Sequence, residues 1–200
     1  MPKVVDHEAR RSRLVDAVWA LAVRDGLEGV SLRKVAAEAG VSMGQVQHYY
    51  PSMEELVRDA LRRAVQAVDA RIAQTIGAIG AATPEDVLRT CLRALIGLDA
   101  EGTRLLRFSL AVLGRTMSDP EMTRVLAPPD EHLLSFTADL IAAARAARGN
   151  AGDVERDDRM EADICWTLAT ALGVDVAVGQ RSAEGAAAVL DHHLDRLLGG

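Results

Sequence analysis

Apolar residues recur at three- and four-residue spacing along nearly the whole chain, and the interruptions fall at Gly, Pro, Ser, Thr or Asp. That is the period of amphipathic helices, each closed by a stop and opened by a cap. Residues 8–25 (EARRSRLVDAVWALAVRD) predict a first helix, with Leu14, Ala17, Val18 and Leu21 on one face and Trp19 beside them. Trp19 reads as a core or interface residue, and Leu27 and Val30 follow as loop residues that pack inward. Two short helices come next. Ser31 caps one bearing Leu32, Val35, Ala36 and Ala39; Gly40 ends it, and Val41 tucks back between the pair. Ser42 and Gln45 are spaced as a capping box for a helix over 43–50, which Pro51 stops.

From Ser52, spaced with Glu55 as another capping box, the pattern runs to about Gly80, a rod of roughly 40 Å at 1.5 Å per residue. Thr83-Pro84 opens a helix carrying Val87, Leu88, Cys91, Leu92, Leu95 and Ile96, and Gly102 is expected to break it. Further helices are expected over 103–117, 120–127, 130–147, 157–178 and 183–198, with a kink at Pro128-Pro129 that shapes a pocket entrance and a polar loop at 148–156. The fold class is therefore all-α, about nine helices. An N-terminal three-helix head, residues 1–51, is joined by the long helix to a body, residues 52–200.

Composition agrees: aromatic content is 3%, and Ala, Leu and Arg dominate. No apolar stretch reaches membrane-spanning length and MPKVVDHEARRSR lacks a secretory apolar region, so a cytoplasmic protein with no membrane partner is expected. Cys91 and Cys165 sit in apolar helical surroundings and read as core residues. His7, His48, His132, His192 and His193 keep no metal-binding spacing with Cys or carboxylates, and His192-His193-x-Asp195 reads as solvent face and interface. Without a phosphate loop, nucleophile elbow or carboxylate pair, the expectation is no enzyme, no metal and no cofactor. A helical carrier or enzyme with an incidental helix-turn-helix is the alternative.

Two short helices, a turn glycine and a second helix with a polar outer face make a helix-turn-helix, whose second helix enters a DNA major groove. The net charge of −6 does not exclude this, because phosphate contact needs local charge. Arg10, Arg11 and Arg13 cluster at the start of the first helix, and Arg33 and Lys34 at the start of the second. Gln45, Gln47 and His48 are the expected base readers. Ser42, Tyr49 and Tyr50 suit phosphates, with Arg33, Met43 and Val46 completing the expected contact set.

The segment AEAGVSMGQVQHYYPSMEEL resembles the N-terminal signature of the TetR family of bacterial transcriptional regulators, and the run Val46-Gln47-His48-Tyr49-Tyr50 is most similar to the branch with the betaine-responsive repressors. At Met53 the family commonly carries Lys, so a usual phosphate contact is missing. The resemblance implies a homodimeric repressor that binds double-stranded operator DNA and is released by a small-molecule effector. It also implies that the last two helices pair with their copies in a second subunit. Ala169, Gly173, Val176, Val189, Leu190, His193 and Leu197 are the expected interface, with small residues at 169, 173 and 177 allowing close approach. An effector cavity between the long helix and the body is expected to be lined by Leu105, Phe108, Ser109, Val112, Phe136, Leu140, Cys165, Trp166 and Thr170. With only Arg89, Arg104 and Arg107 nearby, that lining favours a hydrophobic, planar or weakly anionic molecule over a sugar or a cation.

Overall fold

The computed structural model describes residues 3–116, 118–126, 131–149 and 157–199, and every regular element among them is helical. Ten α-helices follow in order: α1 Lys3–Asp25, α2 Leu32–Ala39, α3 Met43–Tyr49, α4 Met53–Ile79, α5 Pro84–Ala94, α6 Ala100–Thr116, α7 Pro120–Leu126, α8 Glu131–Ala147, α9 Asp158–Ala177 and α10 Ala183–Gly199. The expected Pro128-Pro129 kink and most of the polar loop lie outside the described residues.

The caps are where local chemistry places them. Thr83 Oγ1 accepts the Asp86 N–H at 3.2 Å while Asp86 accepts the Thr83 N–H at 2.9 Å, and Pro84 occupies the first turn. Asp157 caps α9 by accepting from the N–H groups of Arg159 and Met160. One break differs from the expected position. Gly102 lies inside α6; the chain turns earlier, at Gly97, whose φ of 69° is left-handed. Gly102 packs there, since a Cβ on it would meet Gly97 Cα at 3.1 Å.

The chain forms two compact units, one of Met1–Ala67 with Arg107–Pro128, the other of Val68–Leu106 with Pro129–Gly200. This grouping differs from the expected division at residue 51, because 107–128 join the first unit. In that unit α1 packs on α2, and Leu14, Val18 and Leu21 of α1, Val35 of α2, Val46 of α3 and Leu56 and Leu61 of α4 are all buried. Trp19 is buried, donates its indole N–H to the Ala60 carbonyl at 3.1 Å and lies 6.2 Å from the Phe108 ring. Arg58 donates to Asp119 at 2.9 Å and so ties α4 to the start of α7.

The second unit is built around α5, α8, α9 and α10, whose core includes Leu88, Leu92, Ile141, Cys165, Ala169, Leu172, Leu190 and Leu194. A polar clasp closes its edge. Arg89 donates to Glu85 at 2.9 Å and to Asp191 at 3.1 Å, and Arg148 donates to Glu85 at 2.7 Å, so α5 is held to α10 and to the residue after α8.

Candidate nucleic-acid interface and effector site

The helix-turn-helix is assembled from short-range bonds. Ser31 Oγ accepts the Lys34 N–H, Gly40 takes φ 65°, and the Val41 N–H reaches back to the Ala36 carbonyl at 3.0 Å. Ser42 Oγ accepts the Gln45 N–H at 3.2 Å, and Gln45 Oε1 accepts the Ser42 N–H at 3.0 Å, so only three residues separate the end of α2 from the start of α3. A helix this short depends on its cap and on burial of one side. Val46, 0% exposed, and Tyr50, 4% exposed, supply that burial.

Two expected contact residues therefore leave the DNA set. Val46 is wholly interior. Tyr50 follows the last turn of α3 in an extended conformation, and its hydroxyl donates to Asp59 at 2.5 Å instead of facing solvent. Burial and the hydrogen bond to Asp59 push the Tyr50 phenol well above its ordinary range. Asp59 also accepts from Arg63 at 3.0 Å and Arg62 at 2.9 Å. Burial pushes its carboxyl up, yet the bonds from Tyr50 and Arg63 win and hold it below the usual carboxylate value. The effect is to brace the end of α3 against the first turns of α4.

The outward edge of α3 presents Met43, Gln45, Gln47 and His48, with Ser42 before it and Arg33 on α2 also exposed. Gln45 is partly committed, because its oxygen completes the cap. Tyr49 is half-buried: His7 Nδ1 lies 2.9 Å from its hydroxyl, and the His48 ring stands edge-on at 5.2 Å. Arg11 lies over the Tyr50 ring at 5.6 Å. His7, Glu8, Arg11, His48 and Tyr49 line a polar recess beside the helix. His7 was not in the expected set; nothing local marks it, since its partner is 42 positions away.

Comparison with known proteins bears on this geometry. Residues 14–60 match the family described as bacterial regulatory proteins, tetR family, and residues 84–199 match the BetI-type transcriptional repressor, C-terminal. The chain belongs to the TetR family. It is a DNA-binding helix-turn-helix regulator of transcription. It is similar to the regulator PksA of Bacillus subtilis, 40% identical over 72 residues, which are 36% of this chain and 35% of that protein. The chain thus spans about a third of that relative's length. The BetI regulator of Vibrio campbellii is 29% identical over 140 residues, 68% of each chain. A transcriptional regulator from Saccharomonospora viridis, solved in complex with choline, superposes with a TM-score of 0.80 at 19% identity, covering 94% of this chain and 96% of that one, which speaks to the fold.

Within this TetR-family chain, the residues expected to line an effector cavity are divided between the two units. Phe108 and Val112 are wholly buried in the first unit's core. Leu105 and Cys165 are buried in the second, where burial and then Glu161 push the Cys165 thiol up to about 12. Trp166 donates its indole N–H to Thr137 Oγ1 at 2.9 Å, Leu140 packs against the core, Ser109 is half-buried, and Phe136 and Thr170 are exposed. The second unit holds a cavity of about 240 Å³ between the last turns of α4, α5 and the start of α6. Arg71, Arg93, Asp99, Thr75 and Thr90 supply its polar groups, and Val68, Ile72 and Leu98 its apolar walls.

The expected dimer face is also corrected. Ala169, Gly173, Val176, Leu190 and Leu197 are buried inside the subunit's own core. Gly173 serves α5, since a Cβ there would lie 2.3 Å from the Leu95 carbonyl oxygen. Val189 is exposed, and His193 is half-buried with its Nε2 enclosed and without a hydrogen-bond partner. The outward side of α9 carries a different stripe: Met160, Ile164, Thr167, Ala171, Val174 and Val178, all exposed and repeating every three or four residues.

Proposed function

We propose that this TetR-family regulator is a homodimeric repressor, released from its operator by a small hydrophobic ligand bound in the body. The observation that carries the DNA-reading part is the mounting of α3. Its inner side is fixed by Val46 and by the Tyr50–Asp59 hydrogen bond, which leaves Gln47 and His48 outward to reach base edges. Ser42, Met43, Gln45, Tyr49 and Arg33 flank them as backbone contacts. In functional terms residues 1–51 read DNA, and residues 52–200 bind ligand and dimerise. The outward α9 stripe, with Val189 on α10, is the apolar surface that a second copy covers.

Dimerisation follows from the task, because two such helices must reach successive major grooves about 34–36 Å apart. An effector that favours another spacing shifts the population away from the DNA-competent state. The protein acts in the cytoplasm and is not an enzyme. No described helix is long and apolar enough to cross a membrane. Selecting the operator from fragmented genomic DNA and then comparing wild type with Gln47→Ala and His48→Ala tests the assignment. Each substitution is expected to cost about 1–3 kcal/mol and to relax the preference at one base pair. Wild-type affinity and selectivity in both variants would remove these residues from the reading edge.

A further inference from the structure

We propose that the cavity between α4, α5 and α6 takes a small apolar carboxylate, which exchanges with Asp99 on the Arg71 guanidinium, and that it is not a quaternary-ammonium site. This deepens the reading of the chain as a ligand-released regulator and rests on it. Arg71 sits in the second half of α4 and donates to Asp99 just before α6. Both side chains are accessible, at 40% and 56%, so the pair is a weak, water-screened one that an incoming anion can replace at small cost.

Asp99 is not stranded by the exchange. Its other oxygen accepts the Gly102 N–H at 2.8 Å, and the Asp99 carbonyl accepts the Thr103 N–H at 2.8 Å, so the carboxylate keeps its role at the start of α6. Arg93, the second cation on the wall, is held by Asp191 from α10 and stays in place as a neighbouring positive charge. Thr75 and Thr90 offer hydroxyls, and Val68, Ile72 and Leu98 accept a short hydrocarbon. A volume of about 240 Å³ admits a molecule on the order of a dozen non-hydrogen atoms.

A cation finds no counterpart here. Recognition of quaternary ammonium groups uses aromatic faces, and the whole chain has two Trp, two Tyr and two Phe. None of the six lines the cavity. Trp19 faces Phe108 in the first unit's core, Tyr49 and Tyr50 belong to the DNA-reading head, and Trp166 is bonded to Thr137. The lone carboxylate on the wall, Asp99, already has its cation. Exchange also has a mechanical consequence, because Arg71–Asp99 ties the far half of α4 to the start of α6. A bound carboxylate takes over the α4 end of that tie.

The test uses the full chain without DNA. Hexanoate, octanoate and 3-phenylpropionate are titrated calorimetrically, with 1-octanol, choline and betaine as uncharged, cationic and zwitterionic comparisons. Saturable binding is expected for at least one carboxylate and for none of the comparisons. Arg71→Met should weaken it by about two- to fivefold, the scale of a water-accessible ion pair. Asp99→Asn keeps the cap acceptor but removes the competing charge, so it should tighten binding by about two- to fivefold. Choline or betaine binding that is lost in Arg71→Met, carboxylate binding indifferent to both substitutions, or no carboxylate binding at all would each overturn the proposal. Operator binding by the ligand-free protein is measured separately. Its failure would sink the regulator reading and leave the calorimetric result standing.

Discussion

Gly173→Ala separates two accounts of α9. A Cβ on Gly173 would lie 2.3 Å from the Leu95 carbonyl oxygen, whereas a carbon and a carbonyl oxygen in contact sit about 3.3–3.6 Å apart. The variant must therefore open the gap between α9 and the end of α5 by about 1 Å, and the obstacle is main chain, not a side chain that can rotate away. Overpacking of this kind costs about 1–3 kcal/mol, and a rigid obstacle puts it at the upper end. Replacing a mid-helix glycine by alanine returns about 1 kcal/mol of helix propensity. The net expectation is a loss of about 1–2 kcal/mol per subunit, seen as a fall in the urea midpoint of about 0.5–1 M at fixed protein concentration. Sedimentation should meanwhile show an unchanged self-association constant, while Ile164→Asp on the outward stripe should weaken association. Stability equal to wild type in Gly173→Ala would mean that α5 and α9 are not in closest approach there. Weakened association with unchanged stability would return Gly173 to the subunit interface.

Met53→Lys supplies the cation that the family commonly carries, so one added phosphate contact should steepen the log–log salt dependence of operator binding by about one; an unchanged slope places residue 53 away from the backbone. Tyr50→Phe keeps the buried ring but removes the hydrogen bond to Asp59, which should cost about 1.5–3 kcal/mol near neutral pH. The Asp59 carboxyl is held below its ordinary value in the folded state, so its bonds contribute fully above that value and are lost as pH falls through the folded one. The stability gap between wild type and Tyr50→Phe should accordingly be flat from about pH 5 to 8 and narrow below about pH 4. A gap that persists undiminished at a pH acid enough to protonate Asp59 in the folded protein would show that the hydroxyl does not act through an ionised Asp59.

How legible each part of this molecule is in its sequence depends on how far apart the deciding residues lie. The head is written in bonds of three to five residues: Ser31 to Lys34, Ala36 to Val41 and Ser42 to Gln45. Each is visible as a residue type at a fixed offset, so the helix-turn-helix follows from spacing alone. Which of two adjacent tyrosines turns inward does not, because the answer is Asp59, nine residues on and already in the next helix. Spacing misled on α9 for a different reason. That helix is apolar on two sides, so its period does not say which side belongs to the subunit's own core. Small residues permit close approach by any neighbour, and at Gly173 that neighbour is α5, whose main chain needs the room. The bulky residues Met160, Ile164, Val174 and Val178 are the ones left outside. The cavity is harder still, since its defining pair, Arg71 and Asp99, is 28 positions apart and each half looks like an ordinary solvated charge. What betrays it in retrospect is Gly97. A left-handed residue with a backbone at 3.0 Å from where its Cβ would be ends α5 early and brings the start of α6, with Asp99, back toward α4. Reading Gly102 as the break moves that turn five residues downstream and separates Asp99 from the stretch of α4 it returns to, so the Arg71–Asp99 pair becomes visible only once the turn is placed at Gly97.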